Sequence, residues 1–185
     1  KDSFAKSLKD AVAAMFNWDR EMLEGDTISS RHWREQPDQY WSERLGKPVT
    51  PRWVLQHFGT EVMRGQMYDG IWLDSCMGRY KGQNTVISDT RFINEIKTIK
   101  AHGIIVCVAR GEVPTKKSMQ EKGAHQSEWD WLEHDYDITI ENNGTLEDLY
   151  DKVDDLIVSN KIAHTPAKFS NTTQSLAVGT NRFQV

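Results

Sequence analysis

A chain of 185 residues, 38% hydrophobic and 27% charged, is long enough to bury one core, and its length favours a single domain. Its formal net charge of −4 excludes the broad basic footprint that duplex nucleic acid demands, so any bound nucleotide is expected to be small rather than polymeric. No apolar run approaches the ~18 to 20 residues that cross a bilayer, and the opening Lys1-Asp2-Ser3 lacks the pattern of a signal peptide.

Phe4, Leu8, Val12, Met15 and Phe16 fall on one helical stripe among alanines, so Ser3 to Phe16 is predicted helical. From 17 to 49 the periodicity weakens while charge and tryptophan rise, through Trp18-Asp19-Arg20-Glu21 and Arg31-His32-Trp33-Arg34-Glu35. That stretch is expected to be an inserted region of short helices and ordered loops that caps a site. Thr50-Pro51 restarts a helix, a capping threonine before a proline at the first helical position. Trp53, Val54, Phe58, Val62 and Met63 give it an apolar face to about Arg64, with Gly59 tolerated at about 1 kcal/mol relative to alanine. Asp69 to Tyr80, carrying Ile71, Trp72, Cys76 and Met77, reads as a further helix ended by Gly82.

The pattern then changes period. Thr85-Val86-Ile87-Ser88 reads as a short strand, and Asp89-Thr90-Arg91 leads into a helical stripe of Phe92, Ile93, Ile96 and Ile99 that stops at Gly103. Ile104 to Ala109 is nearly all apolar, as expected of a strand in a parallel sheet covered by helices on both faces. Together these make a right-handed βαβ unit. Residues 110–135 show no strong period and are expected to form a lid-like loop, in which Lys116 and Lys117 are solvated charges and His125 has no evident partner. Asp137 to Ile140 reads as a third strand. Asn142-Asn143-Gly144 then turns into a last helix, capped by Thr145 with Asp148 and bearing Leu146, Leu149, Val153, Leu156 and Ile157. Residues 160–185 form a polar tail, expected to be disordered or docked on a partner. Cys76 and Cys107 show no metal-binding spacing and are read as buried, reduced thiols.

Asp89 and Arg91 carry the most chemistry. At the carboxyl end of a buried parallel strand, a carboxylate can hold hydrated Mg²⁺ against a phosphate, and an arginine two residues on offers a planar fork to phosphate oxygens. The other reading is local: Asp89 caps the following helix and Arg91 pairs with Glu95 at i,i+4.

Phe4 to Val12, Trp18 to Gly25, Arg34-Glu35-Gln36, Pro51 to Gln56, Gly59 to Arg64, Ile71-Trp72, Ser88 to Glu95, His125 to Glu128 and Asn142 to Thr145 occur in order. Together they resemble the deoxynucleoside monophosphate kinases of tailed bacteriophages, over roughly Phe4 to Val158. The resemblance implies a P-loop kinase-like three-layer α/β fold with a parallel sheet over residues 1–159. It implies transfer of the γ-phosphate of ATP to a deoxynucleoside monophosphate (dNMP) with Mg²⁺. It assigns Asp89, Arg91 and Arg64 to catalysis, Asp89 to the metal, and Trp72, Arg64, Glu61 and Arg91 to the substrate. Trp72 and Trp53 are otherwise core aromatics, and Arg64 a stem covering a helix end.

Family members open with a strand and a glycine-rich lysine loop that cradles the donor phosphates. Here Gly46-Lys47 precedes Pro48 and lacks the upstream glycine. The first strand and P-loop are therefore expected to be missing from this chain, so that ATP and Mg²⁺ serve it only where such a loop lies upstream. The alternative expectation is a catalytically inactive kinase-derived virion protein or nucleotide binder, its tail contacting virion partners or a second copy. Either way the setting implied is the cytoplasm of an infected bacterium or the virion, without a membrane.

Overall fold

The computed structural model describes residues 1–132 and 134–159; the tail at 160–185 lies outside the described residues. Helix α1 (Lys6–Phe16) buries Leu8 and Val12 on the predicted stripe and ends with Asn17 in a left-handed conformation at φ 54°. The inserted region resolves into two short helices, α2 (Ile28–Glu35) and α3 (Gln39–Leu45), each started by its own side-chain cap, Thr27 and Asp38. Thr50 caps α4 (Pro51–Gln56) by accepting from the Trp53 N–H, as expected from Thr-Pro.

The helix then does not stop at Arg64. It continues as an eleven-residue π-helix, His57–Met67. Two tertiary contacts, which the spacing of apolar residues cannot encode, fall within it at Gly59. Leu8 packs so closely on Gly59 that a Cβ there would lie 2.7 Å from a leucine methyl, and the Gly59 carbonyl accepts the Trp72 indole N–H at 2.9 Å. Gly59 is thus required by a close approach rather than merely tolerated. Helix α5 (Ile71–Arg79) contributes Trp72 and Cys76 to one core with Phe4, Leu8, Val12, Leu23, Val49 and Val54. Trp18, Trp33, Trp41 and Trp53 pack around it half-buried, so the tryptophan-rich stretch is mostly the wall of that core.

Arg79 ties the chain start to α5. Its guanidinium grips both oxygens of Asp2 at 2.9 and 3.1 Å, the Ser3 carbonyl and the Ser7 hydroxyl. These bonds hold the Asp2 carboxyl below the usual carboxylate range. So anchored, Asp2 makes a parallel bridge with Ile87, its N–H donating to the Val86 carbonyl at 3.0 Å.

The predicted strand at 85–88 is reduced to that one bridge. A strand exists through its ladder, and Val86, 70% exposed, has no sheet neighbour to cover it among the described residues. Helix α6 (Ile93–His102) follows as expected and buries Ile96. The sheet proper has two strands, β1 (Val106–Ala109) and β2 (Ile138–Glu141), parallel in the register Val106 to Ile138, and connected through helix α7 (Lys116–Glu121). The first is trimmed from the predicted six residues to four, and the second keeps its predicted four residues shifted by one position. Full coverage of β1 does not hold: Val108 is 54% exposed, and Cys107 is half-buried rather than buried. Burial raises both thiols, Cys76 to about 11, so both stay protonated at neutral pH. The closing helix α8 (Leu146–Val158) has the predicted Thr145–Asp148 capping box. The architecture is mixed helix and parallel sheet. No helix among the described residues is long and apolar enough to cross a membrane.

Candidate functional site

A cleft of about 530 Å³ opens between the start of α1, the α4–π-helix rod and the segment Ser88 to Phe92. The inserted region supplies Glu24, Asp26 and Arg34 to its wall, and the lid-like stretch supplies Ser127 and Glu128. A second hollow, about 650 Å³, lies between β2 and α8, but its cation Lys152 sits with Glu141 and Asp155 and no arginine lines it. Only the first combines guanidinium groups with an aromatic floor.

The structure gathers three of the expected residues, Asp89, Arg91 and Arg64, with Trp72 on the same cleft. Asp89 does not cap the helix that follows it. Its carboxylate caps α1 instead, which has no side-chain cap of its own, accepting from Phe4 N–H at 3.0 Å, Ala5 N–H at 2.9 Å and the Ser3 hydroxyl at 2.7 Å. Three of about four lone-pair positions are thereby taken. The Arg91 side chain pairs with Glu128 across the cleft at 2.9 Å, whereas its backbone N–H donates to Glu95 at 2.8 Å. The i,i+4 relation to Glu95 is real, but it is made by the backbone.

Arg64 lies in the interior, not over a helix end. Its guanidinium stacks 3.8 Å from the Phe92 ring centre and bonds Asp69 at 2.9 Å, Asn94 at 3.0 Å and Glu95 at 3.3 Å. Glu95 also accepts the Arg91 and Phe92 N–H groups, and its burial still pushes the carboxyl up to about 7, against those bonds and Arg64. Trp72 is 8% exposed with its indole N–H committed to Gly59, so it serves mainly as core while lining the cleft. Glu61 is not on the cleft wall. It faces the other way, bonding His125 at 3.0 Å and lying 3.4 Å from His57. His125, for which the sequence shows no evident partner, has two, since its other ring nitrogen meets the Ser127 hydroxyl at 2.9 Å. Lys116 stands over the Trp129 ring at 5.2 Å rather than free in solvent.

Sequence reasoning placed no weight on Arg34, yet it is the most unusual group in the cleft. Its Nε is buried without a hydrogen-bond partner among the described residues, and its Nη1 reaches only the Leu23 and Glu24 carbonyls at 3.5 Å. Gly25, at φ 72°, makes room for it: a Cβ there would lie 2.1 Å from Nη2. Burial and then the Arg52 charge lower the Arg34 pKa, with Arg31 and Arg91 acting the same way. The side chain stays cationic nonetheless. Three like charges, opposed by Glu35, thus act on a guanidinium whose buried nitrogen has nothing to donate to, an arrangement whose cost an anion would relieve. In the sequence Arg34 and Arg52 stand only as members of the segments Arg34-Glu35-Gln36 and Pro51 to Gln56; their convergence needs the α2–α4 packing.

The frame is α/β, with a cleft of about 530 Å³ lined by four arginines and five carboxylates. The family model of deoxynucleotide monophosphate kinase matches residues 5–153, and the chain belongs to that family. No curated protein and no solved structure matches it.

Proposed function

We propose that the cleft is the acceptor site for a deoxynucleoside monophosphate, and that the chain acts on it as a phosphoryl acceptor for ATP. The observation that carries this reading is the unpartnered buried Nε of Arg34 among Arg52 and Arg91. A phosphate monoester carries close to two charges at neutral pH and three acceptor oxygens, which suits a converging set of guanidinium forks. Arg91 changes partner in this reading, leaving Glu128 for the phosphate, and Arg52 does the same from Glu35. Arg64 and Glu95 are structural: they hold Phe92 and the Arg91 backbone at the cleft mouth.

Mg²⁺ would neutralise charge developing on the transferred phosphoryl group. Asp89 can offer it one open lone pair, and no cluster of three His, Cys, Asp or Glu residues among the described residues makes a site by itself. The metal is therefore proposed to arrive with the phosphates of the nucleotides. The P-loop kinase-like three-layer arrangement belongs to the same proposal, supported by the family and by the parallel direction of β1 and β2.

Two measurements test the reading. Calorimetric titration with each dNMP and its nucleoside gives binding that requires the phosphate and is lost in Arg34→Met. Incubation with ATP, Mg²⁺ and each dNMP yields dNDP. Binding without turnover would leave the acceptor site standing and favour the inactive nucleotide binder; absence of both sinks the reading.

A further inference from the structure

One side of the α4–π-helix rod runs the length of the cleft. Arg52, Gln56, Gly59, Thr60 and Arg64 all line it, so successive turns of one rod face the same space. The ends of this row are charged. Its middle, Gln56 and Thr60, is neutral and polar, and neither side chain has a hydrogen-bond partner among the described residues. Unpartnered polar groups facing a cleft are donors and acceptors available to a ligand. Leu55 and Phe92 flank them with apolar surface of the kind a flat ring covers.

We infer that Gln56, assisted by Thr60, reads the base edge of the bound dNMP and sets the base preference of this site. The inference rests on the acceptor-site reading above. With the phosphate on Arg34 and Arg52, one helical turn of about 5.4 Å separates it from Gln56, a spacing that a deoxyribose bridges. The Gln56 carboxamide presents a donor beside an acceptor. Each of the four bases presents a complementary acceptor and donor side by side on its Watson–Crick edge, and a carboxamide that turns over about its last torsion meets either order. Gln56 therefore confers a broad preference.

Replacement by glutamate makes the edge acceptor-only. Guanine alone offers two adjacent donors, N1–H and the exocyclic amine, so Gln56→Glu converts a broad reader into a guanine reader. The test is calorimetric titration of the full chain with dAMP, dCMP, dGMP, dTMP and 2-deoxyribose 5-phosphate. Ratios between bases cancel any general repulsion between the new carboxylate and the phosphate. In Gln56→Glu the affinity for dGMP relative to the mean of the other three rises about five-fold or more. A smaller rise overturns the inference. Gln56→Ala, the second variant, weakens all four dNMPs; unchanged affinity there overturns it too. Arg34→Met weakens all five ligands, the base-free one included. If the wild type binds none of the five, the acceptor site itself is wrong and this inference falls with it.

Discussion

The two halves of the molecule are held together by different means. In the first, α1, α4, the π-helix and α5 converge on one core in which Val12, Leu23 and Val49 are fully enclosed, and every cation proposed to meet phosphate except Arg91 hangs from it. In the second, β1, β2 and α8 share a much thinner interior, Ile105 and Ile140 with little else. Helix α8 buries no residue, and Tyr150 and Ile157 are more than half exposed. The densely packed half carries most of the cleft wall, and the lightly covered half adds only Ser127 and the Arg91 partner Glu128.

That contrast can be broken most forcefully at Trp72. Replacement by alanine removes a core aromatic and the Gly59 hydrogen bond, and is expected to cost about 3 to 5 kcal/mol in urea denaturation. Arg64→Met should come next, at about 3 kcal/mol, because it strands Glu95 in the interior. A loss below about 1 kcal/mol would mean that Glu95 simply takes up a proton or that the ion network is ornamental.

Arg34→Met sharpens the comparison differently. It should lower dNMP affinity ten-fold or more while leaving stability unchanged or slightly higher, because it deletes a half-buried cation whose Nε is enclosed and which has no carboxylate partner within hydrogen-bonding reach. Loss of binding together with loss of stability would show Arg34 to be a structural strut.

The pH dependence singles out Glu95. Its folded pKa, about 7, lies above the ordinary 4.5, so folding takes up a proton between those values. The contribution is fully present below about pH 4.5 and is lost as pH rises through 7, at roughly 1.4 kcal/mol per unit of difference. Denaturant midpoints measured from pH 5 to 7.5 should therefore fall, and Glu95→Gln should flatten the decline. Asp2 works in the opposite sense, adding stability above its unfolded pKa that is lost in acid, below this window. The smallest effect is expected in α8, where Ile157→Ser should stay within about 0.5 kcal/mol.

How much was legible in the sequence follows the same division. Elements set by local chemistry were readable: Thr50-Pro51 began α4, the Thr145–Asp148 box began α8, and apolar runs gave β1 and β2. Features set by distant contacts were not. Leu8 and Trp72 meet the π-helix at Gly59 from positions 51 and 13 residues away, and the strand at 85–88 depends on neighbours that four residues cannot specify. In the cleft, Asp89, Arg91, Arg64 and Trp72 share one wall, but the strand expected to present Asp89 is a single bridge and its carboxylate is taken up by capping α1. Glu61 pointed elsewhere, since neighbouring positions along a helix project in different directions and it is Thr60 that lines the cleft. Arg34 escaped notice because an unpartnered nitrogen is a property of packing.

The cap that Asp89 provides for α1 reaches across 84 to 86 positions of chain. A helix whose first turn is completed from so far away is not a self-sufficient unit. Excised as a peptide of its own sequence it should be largely unstructured, and in the whole chain its earliest amides should gain hydrogen-exchange protection only when the segment around residue 89 docks.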